Sequence, residues 1–231
     1  MIDKTTSVER AIQSVADGQS VMVGGFGVPG TPFLLIDALL AKGVRELTLI
    51  KNEANEDGLG ISKLIEAGRV KRLITSHLGL NATVIGLMNS GAIAVEFFPQ
   101  GILAEKIRAG GAGLLAIVTD IGIDTILRND KQVIHIGDRN GIVEPALRAD
   151  IALVHAAKAD RAGNLVYEKS ARNFNPLMAT AADLVIAEAE QVVEIGELAP
   201  DEIHTPGAFV DRVVAIEELL PDYGVLHHHV R

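Results

Sequence analysis

Four glycines stand close together in Gly24-Gly25-Phe26-Gly27-Val28-Pro29-Gly30, and a segment with so few side chains lets another group come up against the backbone. Such a loop can turn its N–H groups toward a phosphate, a carboxylate or an oxyanion that forms during a reaction. Two amides further along, Asn52 and Gln100, are neutral donors suited to sharing the same charge, and Gly101 lets the backbone turn sharply beside the second. A turn cap is the ordinary use of a loop Asn or Gln. The carboxylates Glu53 and Glu56 lie near the first amide and read as solvated loop charges.

These residues need elements to position them. Val21-Met22-Val23 is an apolar run bounded by glycines and predicts a buried strand, preceded by an amphipathic segment in which Val8, Ile12 and Val15 recur at helical spacing. Thr31 reads as an N-cap and Pro32 as the first residue of a helix over Pro32 to Lys42, whose positive end then faces the loop. Further strands are predicted at Leu47–Ile50, Leu73–Thr75, Val95–Phe98, Leu114–Val118, Val133–Ile136, Ile151–His155 and Leu184–Ala187. Helices are predicted at Ser62 to Ala67, Ala82 to Asn89 after an Asn81 cap, Leu103 to Ala109 and Pro176 to Ala182. Gly137-Asp138-Arg139-Asn140-Gly141 is a hairpin candidate at one edge of the sheet. The alternation predicts a single α/β domain over residues 1–231, an open and mostly parallel sheet with helices on both faces. In such a sheet ligands gather outside the carboxyl ends of the strands. Val23 runs into the glycine loop, Ile50 into Lys51-Asn52-Glu53 and Phe98 into Pro99-Gln100-Gly101, so convergence of these three ends predicts one site.

Gly25-Phe26-Gly27-Val28-Pro29-Gly30 also satisfies G-x-G-x-x-G, and Glu53 stands near the end of the next strand, so a dinucleotide fingerprint competes. Stereochemistry argues against it. Pro29 and Pro32 push Val28 and Thr31 off helical dihedrals, which delays the helix until after Gly30 and leaves a loop too long and stiff for that motif. A glycine turn that holds no ligand is the plain alternative.

Composition narrows the classes. The chain is 48 % hydrophobic but only 3 % aromatic, which suits a core of Val, Ile, Leu and Ala between parallel strands and helices. A formal charge of −9, with the 21 basic residues dispersed, argues against nucleic acid as a partner. The absence of cysteine excludes a disulfide framework or a thiolate metal site. Met1 to Thr6 carries no basic leader, and no apolar run approaches membrane-spanning length, so a soluble, cytoplasmic protein without a membrane partner is expected. His227-His228-His229 are adjacent and point in different directions, so no metal site is expected there. His77, His155 and His204 have no assigned role, and Tyr223 with Glu217-Glu218 reads as a peripheral end segment and candidate interface.

The run from Asp17 to Pro32 resembles the signature of the first, A or alpha, subunit of family I coenzyme A transferases: Asp-Gly, an apolar triplet, Gly-Gly-Phe, then a Gly and a Pro. Similarity continues at Pro99–Gly113, Lys158–Asn164 and Ser170–Pro176. It is nearest to the corresponding subunits of bacterial transferases acting on acetoacetate, acetate and butyrate, with the 3-oxoadipate enzymes slightly further off. The resemblance implies coenzyme A as a substrate and no permanently bound cofactor. It places Gly24, Gly25, Phe26, Gly27, Val28, Pro29, Gly30, Asn52, Gln100 and Gly101 around the CoA and acyl group. It also implies a ping-pong reaction through a glutamyl-CoA thioester, between an acyl-CoA and a short-chain carboxylic acid. The nucleophilic glutamate of the family lies in Ser-Glu-Asn-Gly on a second, B or beta, subunit in a heterotetramer of two alpha and two beta chains. That tetrapeptide is absent here, so no catalytic residue is expected in this chain; the look-alike Asn55-Glu56-Asp57-Gly58 is expected to be a loop.

Two stretches depart from the family. The loop Asn52 to Gly60 looks shorter than in mammalian-type enzymes, and Thr119 to Thr125 replaces a pattern closer to Thr-Pro-Thr-Gly-x-Gly-Thr. The acyl preference is therefore open, and the carboxylates Asp120 and Asp124 weigh against anionic diacids such as 3-oxoadipate. Gly110-Gly111-Ala112-Gly113 reads equally as a flexible loop beside the site or as a helix C-cap after Arg108. Two other functions stay in view: a CoA-ester hydrolase on the same scaffold, separable by acceptor dependence, and a non-catalytic module sensing acyl-CoA or a sugar phosphate.

Overall fold

On the strand before the glycine loop, Val21 and Val23 join one apolar core and Met22 joins another, as the two-residue period of a strand requires when both faces are covered. The computed structural model describes residues 2–223. The first half alternates helix and strand: α1 (Val8–Ala11), β1 (Ser20–Val23), α2 (Phe33–Lys42), β2 (Leu47–Ile50), α3 (Ile61–Glu66), β3 (Val70–Thr75), α4 (Ala82–Asn89), β4 (Ala94–Phe97) and α5 (Gln100–Gly111). Next come β5 (Ala116–Thr119), β6 (Val133–Ile136) and β7 (Arg139–Pro145). The remainder holds β8 (Ala149–Asp160), β9 (Leu165–Val166), α6 (Asn175–Thr180), β10 (Ala182–Val193) and β11 (Arg212–Ala215).

The main sheet runs β11-β10-β8-β1-β2-β3-β4, every neighbour parallel, with the short β9 antiparallel to β8. Chain order leaves β1 in one direction toward β4 and in the other toward β11, so the order reverses between β1 and β8. That reversal opens a crevice beyond the carboxyl ends of the two strands. α1 to α4 pack on the face that receives Val21, Leu49, Leu73, Ile151 and Ile186. α5 and α6 cover the other face, against Met22, Ile50, Ile74, Ala152 and Val185. Each Leu or Ile so buried stabilises the fold by about 1.5–3 kcal/mol. The expected open, mostly parallel α/β sheet with helices on both faces is the architecture found.

Two expectations change, and one open alternative is decided. The strand expected at Leu114–Val118 is β5, but it belongs to a separate antiparallel sheet of order β5-β7-β6. Its residues are partly exposed, unlike those of the central strands. The hairpin joins β6 to β7, with Gly137 at φ 62° in its turn. The opening helix is only Val8–Ala11, because i to i+3 backbone bonds from Gln13 and Val15 tighten the chain before it can continue. Gly110 and Gly111 close α5 and do not form a loop: a Cβ on Gly110 would lie 2.2 Å from the Leu147 carbonyl oxygen, and one on Gly111 2.1 Å from Thr180 Oγ1. No helix among the described residues is long and apolar enough to cross a membrane.

Candidate functional site

Most of the glycine loop is tailored to its own chain. A Cβ on Gly24 would fall 1.9 Å from Asn175 Oδ1, on Gly25 2.2 Å from Thr31 Oγ1, and on Gly30 2.4 Å from the Ala171 carbonyl oxygen. Gly25, Gly27 and Gly30 have φ of 101°, 62° and 76°, a region closed to most side chains. Asn175 Nδ2 donates to the carbonyls of Gly30 and Ala171, and Asn173 Nδ2 to that of Pro29, so the start of α6 and the residues just before it seat the loop from behind. Only Gly27 meets open space, its nearest neighbour being Pro29 Cδ at 3.9 Å. The accessible stretch is therefore Phe26 to Pro29, with Phe26 46 % exposed. Among the described residues the N–H groups of Gly25, Gly27 and Val28 have no hydrogen-bond acceptor.

The segment after β2 ties this loop to the next strand ends. Lys51 is fully buried; its Nζ donates to the Gly24 carbonyl and to Thr31 Oγ1, each at 3.0 Å, and lies 3.2 Å from Glu53 Oε1. Glu53 Oε2 accepts from Asn52 Nδ2 at 2.7 Å. Asn52 Oδ1 accepts from Gln100 Nε2 at 2.8 Å and from Ser76 Oγ at 2.9 Å. Asn55 Nδ2 donates to the Gly27 carbonyl at 2.8 Å. The ends of β1, β2 and β4 thus converge. Asn52 is buried beneath and Gln100 is exposed above, at the first residue of α5.

The positive helix end is not the one expected. Thr31 does not cap α2: its hydroxyl donates to the Gly27 carbonyl, and Pro32 occupies the cap position without a side-chain bond. The first amides of α2 are instead taken by Tyr223, whose hydroxyl oxygen accepts from Leu34 N at 3.2 Å, and by Glu188, whose Oε2 accepts from Leu35 N at 3.0 Å. A carboxylate on β10 already neutralises that end, so it has no charge to offer a ligand. α5 differs. Pro99 precedes it with no side-chain cap and no acidic residue sits in its first turn, which leaves the amides around Gln100 and Gly101 facing outward.

Glu53 is a second correction. It is 3 % exposed and paired with Lys51, whereas Glu56 is exposed as expected. Burial lowers the Lys51 pKa, while the Glu53 charge and hydrogen bond work against that fall. The signal was in the sequence: opposite charges two residues apart on an extended segment point the same way. His155 is buried between Glu188 and Glu190, with Nδ1 2.9 Å from Glu188 Oε1 and Nε2 3.2 Å from Glu190 Oε1. Tyr223 is fully buried, packs edge-on to Phe33 with ring centres 5.0 Å apart and donates to Glu188, so it is core and not a peripheral interface. His77 Nδ1 lies 3.1 Å from Ser76 Oγ beside Asn52, and His204 Nδ1 accepts from Tyr167 N at 3.0 Å. Asp120 pairs with Arg139 on the small sheet. His227, His228 and His229 lie outside the described residues.

Known proteins share both sequence and fold with this chain. The family described as Coenzyme A transferase matches residues 5–215. The alpha subunit of a probable coenzyme A transferase of Bacillus subtilis is 48 % identical over 93 % of this chain and 94 % of its own. The alpha subunit of the acetate CoA-transferase of Escherichia coli is 45 % identical over 94 % of this chain and 99 % of its own. The A subunit of the 3-oxoadipate CoA-transferase of Pseudomonas putida is 45 % identical over 94 % of this chain and 95 % of its own. Among solved structures, the acyl-CoA transferase YdiF of Escherichia coli superposes with a TM-score of 0.82 at 24 % identity. It matches over 92 % of this chain, which spans about half (47 %) of that longer protein. A match over nearly the whole described chain, at these identities, places it among known proteins: the chain belongs to the coenzyme A transferase family.

Proposed function

We propose that this chain is the A (alpha) subunit of a two-subunit CoA-transferase, which moves CoA between a short-chain acyl-CoA of the acetoacetyl, butyryl or acetyl type and a carboxylic acid in the cytoplasm. The observation that carries the reading is the convergence of Gln100 and Asn52, 2.8 Å apart, at the uncapped start of α5 beside the glycine loop. In the reaction, a glutamate from the B (beta) subunit makes the attack on the thioester carbonyl, and the C–S bond breaks to leave an acyl-glutamyl anhydride and the CoA thiolate. The thiolate then attacks the glutamyl carbonyl, releases the first acid and leaves a glutamyl-CoA thioester, which a second acid opens by the reverse route. At each attack an oxygen gains negative charge. Gln100 spends one amide hydrogen on Asn52 and keeps the second for that oxygen, while the N–H groups of the glycine loop and of the first turn of α5 act from fixed positions.

Two of the finer expectations need restating. Identity does not separate the acetate from the 3-oxoadipate relative, both at 45 %. Asp120 gives no ground against diacids, since its carboxylate is engaged by Arg139. We retain short-chain carboxylic acids as the proposed acceptors. The test is a screen of acyl-CoA donors against short acids and diacids, using the chain co-expressed with a partner that carries Ser-Glu-Asn-Gly. Acceptor-dependent turnover supports transfer; acyl-CoA consumption independent of any acceptor acid would replace it with hydrolysis.

Gln100→Ala in that complex should slow formation of the glutamyl-CoA intermediate by about 2–4 kcal/mol in barrier, as loss of one oxyanion donor does elsewhere. Gln100→Glu should be at least as damaging, because it removes the donors and adds a charge. Single-turnover rates within about twofold of wild type, under about 0.5 kcal/mol, would reduce Gln100 to a helix-start residue.

A further inference from the structure

Lys51 and Glu53 form an ion pair with side-chain exposures of 0 % and 4 %, directly under the surface that carries Gln100. Stability alone is a weak reason to keep such a pair, because an apolar pair of the same volume often serves a fold equally well. Its connections are more informative. Lys51 holds the Gly24 carbonyl and the Thr31 hydroxyl, and Glu53 receives the Asn52 amide on one oxygen while its other, Oε1, lies 3.2 Å from Lys51 Nζ.

A carboxylate can only accept. With Glu53 ionised, Asn52 must turn Nδ2 toward it and Oδ1 toward Gln100, which in turn must present Nε2. Were residue 53 an amide, Asn52 could exchange its two ends, and Gln100 would then offer Oε1 where Nε2 now stands. An oxygen there repels the charge that a nitrogen would stabilise.

We propose that Lys51 and Glu53 are positioning residues for CoA transfer: the pair anchors the glycine loop through Gly24 and fixes the donor direction of the Asn52–Gln100 contact, so that both elements present N–H groups to one oxygen. This rests on the role of Gln100 proposed above.

The experiment is a double-mutant cycle in the assembled two-subunit enzyme, read as the single-turnover rate of the first half-reaction. The variants are Glu53→Gln, Gln100→Ala and both together. Glu53→Gln alone should slow the step by about tenfold or more, and in the Gln100→Ala background by less than about twofold, because Lys51 keeps its bonds to Gly24 and Thr31 and the effect passes through that amide. The half-saturating acyl-CoA concentration should move far less than the rate. Equal slowing in both backgrounds, or no slowing by Glu53→Gln, would overturn the proposal. If Gln100→Ala is itself harmless, the role of Gln100 falls first, and the two failures are thereby distinguished. Should Glu53→Gln fail to assemble, Lys51→Met with Glu53→Gln removes both charges and leaves none buried alone. That pair of changes is expected to assemble and, since it also frees Gly24, to slow the step at least as much; a rate within about twofold of wild type would count equally against the proposal.

Discussion

His155 is held by two carboxylates from β10 in a place where water cannot reach it, and the balance of those effects sets a pH dependence. Burial works to lower its pKa; the hydrogen bonds and charges of Glu188 and Glu190 outweigh that and raise it to about 9. A raised folded value makes the stabilisation complete below the unfolded value of about 6.5 and removes it as pH climbs through 9. Thermal unfolding should therefore show wild type losing up to about 3 kcal/mol across that window relative to His155→Gln, which lacks the titrating group. Parallel profiles for the two proteins would contradict this. At this scale the sequence revealed the amides better than the charges. The convergence of Asn52 and Gln100 was legible because each follows an apolar strand. Glu53 was misread although its partner Lys51 stands two residues away, and Glu188 was not legible, since a carboxylate declares its burial only through its partner and those of Glu188 come from β8, α2 and residue 223.

The glycine loop has two parts with different duties, and substitutions should separate them. Gly24→Ala would drive a methyl group to within 1.9 Å of Asn175 Oδ1, which also accepts from the His155 backbone. A loss of about 1–3 kcal/mol in stability is expected from such overpacking. Gly27→Ala meets open space and pays only for its φ of 62°, about 1 kcal/mol, but it changes the accessible stretch. It should keep more of the unfolding midpoint than Gly24→Ala and raise the KM for acyl-CoA; equal destabilisation with an unchanged KM would refute the division. Several elements were readable to the residue, among them β2, β6 and α4, whose Asn81 cap accepts from Val84 N at 2.7 Å. Local pattern does not name a strand's partner, which is why β5 was expected in the wrong sheet. β11 was missed although Val213-Val214-Ala215-Ile216 is an apolar run as long as β2. The helix end with free amides was misassigned for a similar reason: what caps α2 arrives from β10 and from residue 223, far along the chain.

As a whole molecule the chain is proposed to supply a binding surface, and its sequence holds no Ser-Glu-Asn-Gly. Its one look-alike, Asn55 to Gly58, is put to structural use: Asn55 reaches Gly27 and Ile61, and Asp57 Oδ1 accepts from Thr83 N at 3.1 Å. Glu53 is committed to Lys51 and Asn52. Activity should thus require the second subunit. The most direct measurement incubates acyl-CoA with this chain alone and with its assembled partner, reduces any thioester with borohydride, and locates the modified residue by mass spectrometry. The account predicts no turnover by the chain alone and, in the complex, modification confined to the glutamate of the partner's Ser-Glu-Asn-Gly. Turnover by the isolated chain, or a modified Glu53 or Glu56, would contradict it.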